Sequence, residues 1–464
     1  MKKFYLLAAL LFSLLSQAQF YTGYNMIQLS RWSNDSLGRI GTQKFSNGWG
    51  WYDSIKQREY AILGSIDSTY FIDVTNPSKP VVCDVRAGRV GRSVWREYKT
   101  YQHYCYAVAD FGQASLQVFD MQYLPDSVHT VYDSDSLITR SHTVYIDGNR
   151  LYCNSTVNRL QQSAAVTVLS LEDPENPTFL GTLRPPIFDG VPAFVKCHDA
   201  FVRNDTLYCS GENAGVFIYD MSDANNGVLL GTIQEYPEKG YNHSGYLSDD
   251  GQIFVFTDEN ASLGIKAYDV SNPADAELLS VFKSHPNATA HNPYFIGRRL
   301  YVSYYHDGVY VYNMNDPKNP EVIAWYDTYP QNGEQYSGFE GCWGIYPYLP
   351  SGNLLAFDMT NGLFVLRMDA AAGNERVNAE AGTDLLIYPN PGVGAIQVSW
   401  RQGMEETQIL QVVDMGGRVV WEQEVHSEAG ENSLTLPLSG ENKGIYLVQL
   451  TGPKTHICKK LSLH

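Results

Sequence analysis

The sequence predicts an all-β protein, a seven-bladed β-propeller followed by a small antiparallel β-sandwich. Three observations predict it. An anchor position recurs every 45 to 56 residues through the middle of the 464-residue chain. Each copy reads as several short strands with no helical period. Thirty-three Tyr, 39 Gly and 21 Pro supply strand and turn residues in quantity. Apolar residues make up 44% of the chain and charged residues 18%, which excludes a largely disordered protein. The net charge of −17 argues against nucleic acid or an anionic membrane as the main partner, because phosphate recognition rests on positive charge.

The copies align on Trp49, Trp95, His142, His198, His243, His291 and Trp343. Three residues after each anchor stands an aromatic: Tyr52, Tyr98, Tyr145, Phe201, Tyr246, Tyr294 and Tyr346. Each copy later reaches a strand with a shared ending, such as Phe71-Ile72-Asp73-Val74, Val118-Phe119-Asp120-Met121 or Ile218-Tyr219-Asp220-Met221. Proline often follows, as at Asn76-Pro77, Asp173-Pro174, Asn272-Pro273 and Asp316-Pro317, where it stops the strand and fixes a turn. In the fourth copy the four strands read as 198–203, 206–211, 215–220 and 228–234. One such sheet cannot bury both faces; a ring of sheets can. The last copy lacks a fourth strand, and residues 25–32 (NMIQLSRW) read as a stray one. They are expected to close the ring by pairing in the last blade, which removes an open edge. The propeller is thus expected over residues 19–368.

Both ends carry an address. Residues 1–18 read as a signal peptide, with Lys2 and Lys3, an apolar run over 4–15, and Ser16-Gln17-Ala18 before a mature start at Gln19. No later stretch reaches the ~18 apolar residues of a membrane span. Residues 369–384 are poor in large apolar side chains and read as a linker. Residues 385–464 alternate β-rich runs with Gly and Asn turns, the pattern of a small sandwich. Seven Cys lack the spacing of a disulfide framework or a CxxC motif; most are expected to be small buried hydrophobes.

In the C-terminal unit, Tyr388-Pro389-Asn390-Pro391, the Asp414-x-x-Gly417-Arg418 turn, Gly444-Ile445-Tyr446 and the basic Lys459-Lys460 end resemble the type IX secretion C-terminal sorting domain of Bacteroidetes. The resemblance implies contact with the type IX secretion machinery through residues 385–464, passage across the outer membrane, removal of the domain, and release or attachment at the cell surface. Residues 25–368 resemble the LVIVD-repeat proteins of the choice-of-anchor B family. That likeness rests on the strand endings, the Ser141-His142, Cys197-His198-Asp199, Asn242-His243 and Ala290-His291-Asn292 starts, and Trp343-Gly344-Ile345-Tyr346-Pro347. Several endings hold Tyr or Met, so it is a match of pattern more than of letter. It implies a common body joined to varied surface anchors and supplies no activity.

The candidate site follows from the repeat. His142, His198, His243 and His291 occupy equivalent places in consecutive blades, and equivalent places at the start of first strands converge on one mouth of the central channel. Converging neutral imidazoles suit one divalent metal, Zn, Fe or Cu. Asp199 adjoins one anchor, while Glu212, Asp258 and Glu259 follow the second strand of their copies. Arg96, beside Trp95, is a candidate partner for an anionic ligand group. Trp49, Trp95 and Trp343, with Trp51, form either a sugar-stacking wall or core. Three readings of the His set stand open: a structural His copied with the repeat, a metal centre, or a metal-free ligand or catalytic site. The leading functional expectation is a recognition module for an extracellular glycan or protein. The alternative is a metal-dependent extracellular hydrolase or lyase with Glu212 or Asp258 as its base. No HExxH, Gly-x-Ser-x-Gly, Walker or dinucleotide pattern occurs. His103, His285, His306 and His426 fall off the register and are expected in loops or on the surface. Asp133-Ser134-Asp135-Ser136 lacks the Gly and distal Glu of a calcium-binding EF-hand and reads as a solvated turn.

Overall fold

The computed structural model describes residues 21–332, 336–368, 385–388, 396–402, 405–414, 419–428, 430–438, 444–452 and 456–463. The expected signal peptide and linker lie outside them. The chain divides into two units, Met1–Ala372 and Gly373–His464.

The first unit is a β-propeller. Among its described residues, seven sheets each hold four antiparallel strands in chain order from the axis outward, the last sheet drawing its outermost strand from the N-terminus. The innermost strands are Phe45–Asp53, Arg96–Tyr101, Thr143–Asp147, Ala200–Arg203, Asn242–Leu247, Ala290–Ile296 and Cys342–Tyr346. Each lies against the next, and the seventh lies against the first, so the ring is closed. Strand position dictates composition. Second strands such as Arg58–Ser65 (REYAILGS) and Ile253–Asp258 (IFVFTD) are covered on both faces and read as nearly continuous buried runs. The outermost strand Val81–Ala87 is half-exposed, and Asp84 and Arg86 interrupt its apolar residues.

The shared strand ending has a local cause. The side-chain oxygens of Asp73, Asp120, Asp220, Asp269 and Asn313 accept the amide two residues on, from Thr75, Gln122, Ser222, Ser271 and Asn315. Each closes an Asx turn that ends the third strand and leads toward the fourth. In every sheet the pairing of the third and outermost strands slips by a residue, a bulge that adds twist at the rim.

Met26–Trp32 is the outermost strand of the last sheet, with Met26 opposite Met368 and Trp32 opposite Leu363. The short strand Gly23–Tyr24 adds to the sixth sheet against Glu321–Tyr326, which the sequence did not suggest. The N-terminus therefore bridges two blades. Cys197, just before the first strand of the fourth sheet, and Cys209, on its second strand, form a disulfide, which corrects the reading of both as plain buried thiols. Cys105, Cys153 and Cys342 are buried and free, as expected of small hydrophobes, and Cys83 is half-buried and free.

In the second unit, a three-stranded sheet (Leu385–Tyr388, Ile396–Gln402, Gly430–Leu436) and a four-stranded sheet (Val419–Ser427, Glu406–Asp414, Gly444–Thr451, His456–Leu463) bury a common core. Trp400 anchors that core and donates its indole N–H to Ser427, 2.9 Å away.

Deleting residues 20–32 uncovers the edge of Gly362–Met368 and the core side chains beside it. A loss of more than about 3 kcal/mol is expected. Thermal unfolding of the truncated propeller measures it, and melting at the wild-type temperature would show that this strand does not hold the ring.

Candidate functional site

First strands begin, and second strands end, at the same mouth of the channel. Four imidazoles stand there as an arc. Ring centroids are 4.1 Å apart for His142 and His198, 4.5 Å for His198 and His243, and 4.2 Å for His243 and His291. Trp343 continues the arc at 6.0 Å from His291. His198, His243 and His291 are buried and His142 is partly exposed. A small pocket lies inside the arc, lined by Trp95, Arg96, Glu97, His142, His243, His291 and Trp343, with Thr143 and Asn292.

Each imidazole is positioned by its sheet. The His142 and His198 amides donate to the carbonyls of Asn154 and Ser210 on their second strands. The disulfide ties the residue before His198 to the same second strand. His243 and His291 sit in bulges at the start of their strands, between Asn242 and Ser244 and between Ala290 and Pro293.

Carboxylates and a tyrosine from the loops after second strands, and Tyr241 from just before a first strand, face the arc. Asp110 Oδ2 is 3.0 Å from His142 Nδ1. The Tyr241 hydroxyl donates to Glu212 at 2.8 Å and lies 3.0 Å from His198 Nδ1. Glu259 stands between His243 Nε2, at 3.8 Å, and His291 Nε2, at 3.7 Å, and accepts a hydrogen bond from the Tyr305 hydroxyl. His198, His243 and Glu259 offer ligand atoms that all lie within 4.8 Å of one another. The electrostatics divide the arc. Burial pulls His142 down, but the Asp110 hydrogen bond and charge outweigh it and hold the imidazole above its ordinary value. Burial, followed by the neighbouring imidazoles, holds His198 well below its ordinary value, and burial with His243 does the same to His291.

Several expected site residues are placed elsewhere. Asp258 turns away from the arc: its carboxylate is paired with the fully buried Lys266 at 2.6 Å and accepts from Tyr236 at 3.0 Å. It is a structural ion pair inside the fifth sheet. Glu212 reaches the arc only through Tyr241. Asp199 accepts from Ser244 at 2.9 Å, and Ser244 accepts from Asn292, which builds a polar floor rather than a ligand. Arg96 is buried, and its guanidinium donates to the carbonyls of Ser65, Ile66 and Val90. It pins the loop before its own strand and is not available to an anion. His306 is buried, not a surface residue, because it lies against Tyr329 and Tyr336 beneath the loop before the last sheet. Asp133 and Asp135 pair with Arg89 and Arg159, so that turn is an ion-pair cluster.

The Trp residues separate by tier. The amides of Glu259, Tyr305, Met359 and Ile66 donate to the carbonyls of Tyr241, Thr289, Gly341 and Lys44. That register sets Ser46, not Trp49, level with His243, His291 and Trp343. Trp49 belongs three residues deeper, in an aromatic tier with Tyr145, Phe201, Tyr246, Tyr294 and Tyr346, whose neighbouring centroids are 4.5 to 6.0 Å apart. Lys99 completes that tier with its ammonium 4.0 Å from the centre of the Trp49 ring. Trp51 is core, stacked on Tyr60. Trp95 is 47% exposed at the mouth and Trp343 is 8% exposed in the pocket wall. Sequence reasoning missed Asp110, Tyr241 and Tyr305. Asp110 follows its second strand just as Glu259 does, so the signal was present.

Residues 386–464 match the model of the secretion system C-terminal sorting domain. The protein is thus an exported β-propeller, sent by the type IX route to the cell surface or the extracellular space. No helix among the described residues is long and apolar enough to cross a membrane. No curated protein sequence matches the chain. Among solved structures it is similar to YCF48 bound to D1 peptide, with 9% identity and a TM-score of 0.48 over 77% of this chain and 97% of that one. It is similar to the β-propeller domain of Cps50 (Swd1) from Myceliophteria thermophila, with 11% identity and a TM-score of 0.45 over 70% and 98% of the two chains. A protein from Lactobacillus plantarum shows 13% identity and a TM-score of 0.46 over 85% and 99%.

The buried arc has a pH signature. His198 and His291 charge more easily in the unfolded chain, so the stability they permit is present above 6.5 and is lost as pH falls below it. His142 works in the opposite direction, since its raised value favours the folded state below 6.5. Two imidazoles against one predict a net loss of stability on acidification of chelator-treated protein. Calorimetry across that range tests it; a flat melting temperature would mean the arc is freely hydrated.

Proposed function

We propose that the protein is a recognition module displayed at or shed from the cell surface, a seven-bladed propeller over residues 19–368 that binds an extracellular glycan or protein at the His end of its channel. In this reading residues 1–18 and 385–464 serve export, and the repeats belong with the LVIVD, choice-of-anchor B proteins they resemble. The supporting observation is the rim. Trp95, Phe111, Leu160, Phe188, Val191 and Phe339 are all exposed. All six lie before a first strand or after a second strand, and those loops surround the His mouth. Exposed aromatics around a polar pocket suit stacking on a sugar face or gripping a protein loop.

The enzyme alternative loses support from the same geometry. Hydrolysis needs an acid or base within reach of an open site. Asp258 is locked to Lys266, and Glu212 is held by Tyr241.

Two outcomes are expected. Trp95→Ala should weaken binding of a ligand found on glycan or protein arrays about 10-fold or more and leave the melting temperature unchanged, because the side chain is exposed. Unchanged affinity would remove the mouth from the recognition surface. Deleting residues 385–464 should hold the propeller inside the outer membrane, which fractionation of expressing cells reads directly.

A further inference from the structure

The floor of the mouth carries an electrostatic conflict. The Asp110 carboxylate lies between His142 Nδ1, at 3.0 Å, and the Arg140 guanidinium, at 3.8 Å. A carboxylate only accepts, so His142 Nδ1 carries the hydrogen and, in the neutral ring, Nε2 carries the lone pair. The Tyr241 hydroxyl gives its only hydrogen to Glu212. Its oxygen therefore accepts from His198 Nδ1, and His198 Nε2 carries a lone pair too. Those two Nε2 atoms face each other 2.9 Å apart. Two acceptors at that distance require a cation shared between them.

Beside this pair, His243 is 2% exposed, its Nδ1 has no partner among the described residues, and its Nε2 is 3.8 Å from Glu259. That gap is too long for a hydrogen bond. It suits two ligands of one ion, and 2.9 Å is about the separation of two nitrogens bound at right angles at about 2.0–2.1 Å each.

We propose that the channel mouth holds one divalent late first-row transition-metal ion, ligated by His198, His243 and Glu259, with His142 as the fourth donor. Imidazoles with one carboxylate suit Zn or Cu better than Ca or Mg, which take oxygen ligands. Asp110 and the Tyr241–Glu212 pair are positioning residues that fix the tautomers of two ligands. Tyr305 orients the Glu259 carboxylate by a hydrogen bond. The ion would form the floor of the mouth proposed above for recognition, and in that respect the inference rests on that reading.

The test uses the full chain, free of tags and stripped with a chelator. Zn(II) is titrated by calorimetry and Cu(II) is read by electron paramagnetic resonance. One equivalent of Zn(II) and a Cu(II) spectrum split by several imidazole nitrogens are expected. The double variant His198→Gln, His243→Gln should weaken Zn(II) binding more than 100-fold. Tyr241→Phe keeps every ligand and should weaken it about 10–100-fold, the effect of losing a positioning hydrogen bond. No stoichiometric metal in the parent, or equal binding by the parent and the double variant, would overturn the proposal and leave a shared proton as the cation between His142 and His198. If the double variant does not fold, the Cu(II) spectrum of the parent decides: no nitrogen splitting overturns it. Failure here with Trp95-dependent ligand binding intact would leave the recognition reading standing. Metal bound without any Trp95 dependence would do the reverse.

Discussion

Flat sheets arranged around one axis leave gaps that widen outward, and everything else in this propeller depends on filling them. A sheet with both faces apolar is not stable in isolation; its neighbours supply the missing solvent exclusion. Here aromatic side chains form the wedges. Tyr60, Tyr98, Tyr106, Tyr152, Tyr219, Tyr304 and Tyr312 are among the largest fully buried side chains. Their length spans an inter-sheet gap that an aliphatic residue would leave partly empty, and voids of that kind are costly. The abundance of tyrosine is thus a consequence of geometry, and its hydroxyls become available for polar work where the sheets meet the axis.

At the axis the packing problem reverses. First strands converge, so space is short and side chains from different sheets are forced together. The aromatic tier closes the channel below, and the imidazole arc lies directly above it. Burial of imidazoles is unfavourable unless their nitrogens find partners. Loops of the neighbouring sheets supply those partners, with Asp110, after a second strand, reaching His142 and Tyr241, before a first strand, reaching His198. The site is therefore a property of the closed ring, since no single sheet contains it.

What was legible in the sequence was whatever repeats. The four His anchors, the aromatic three residues below each, and the Asp endings all recur at the period of the sheet. Two kinds of feature escaped. Partners contributed across sheets, such as Tyr241 to His198, are separated by 43 residues and follow no pattern within a copy. The first copy was read three residues out of register, because Trp49-x-x-Tyr52 satisfies the anchor rule as well as Ser46-x-x-Trp49 does. Only the backbone hydrogen bonds separate the two alignments. Asp258 and Glu259 show the same limit: adjacent carboxylates on one strand point to opposite faces, and one-residue differences of that kind decide which enters the site.

The N-terminal clasp also orders events in time. Met26–Trp32 pairs with Gly362–Met368, so one of the earliest strands to be synthesised has its partner more than 300 residues later. Contacts of such long separation are slow to form, because the intervening chain must be organised before they give any return. Met26–Trp32 therefore has no partner until the residues of the last sheet have been synthesised. Completion of the ring therefore reports that the whole body has been made.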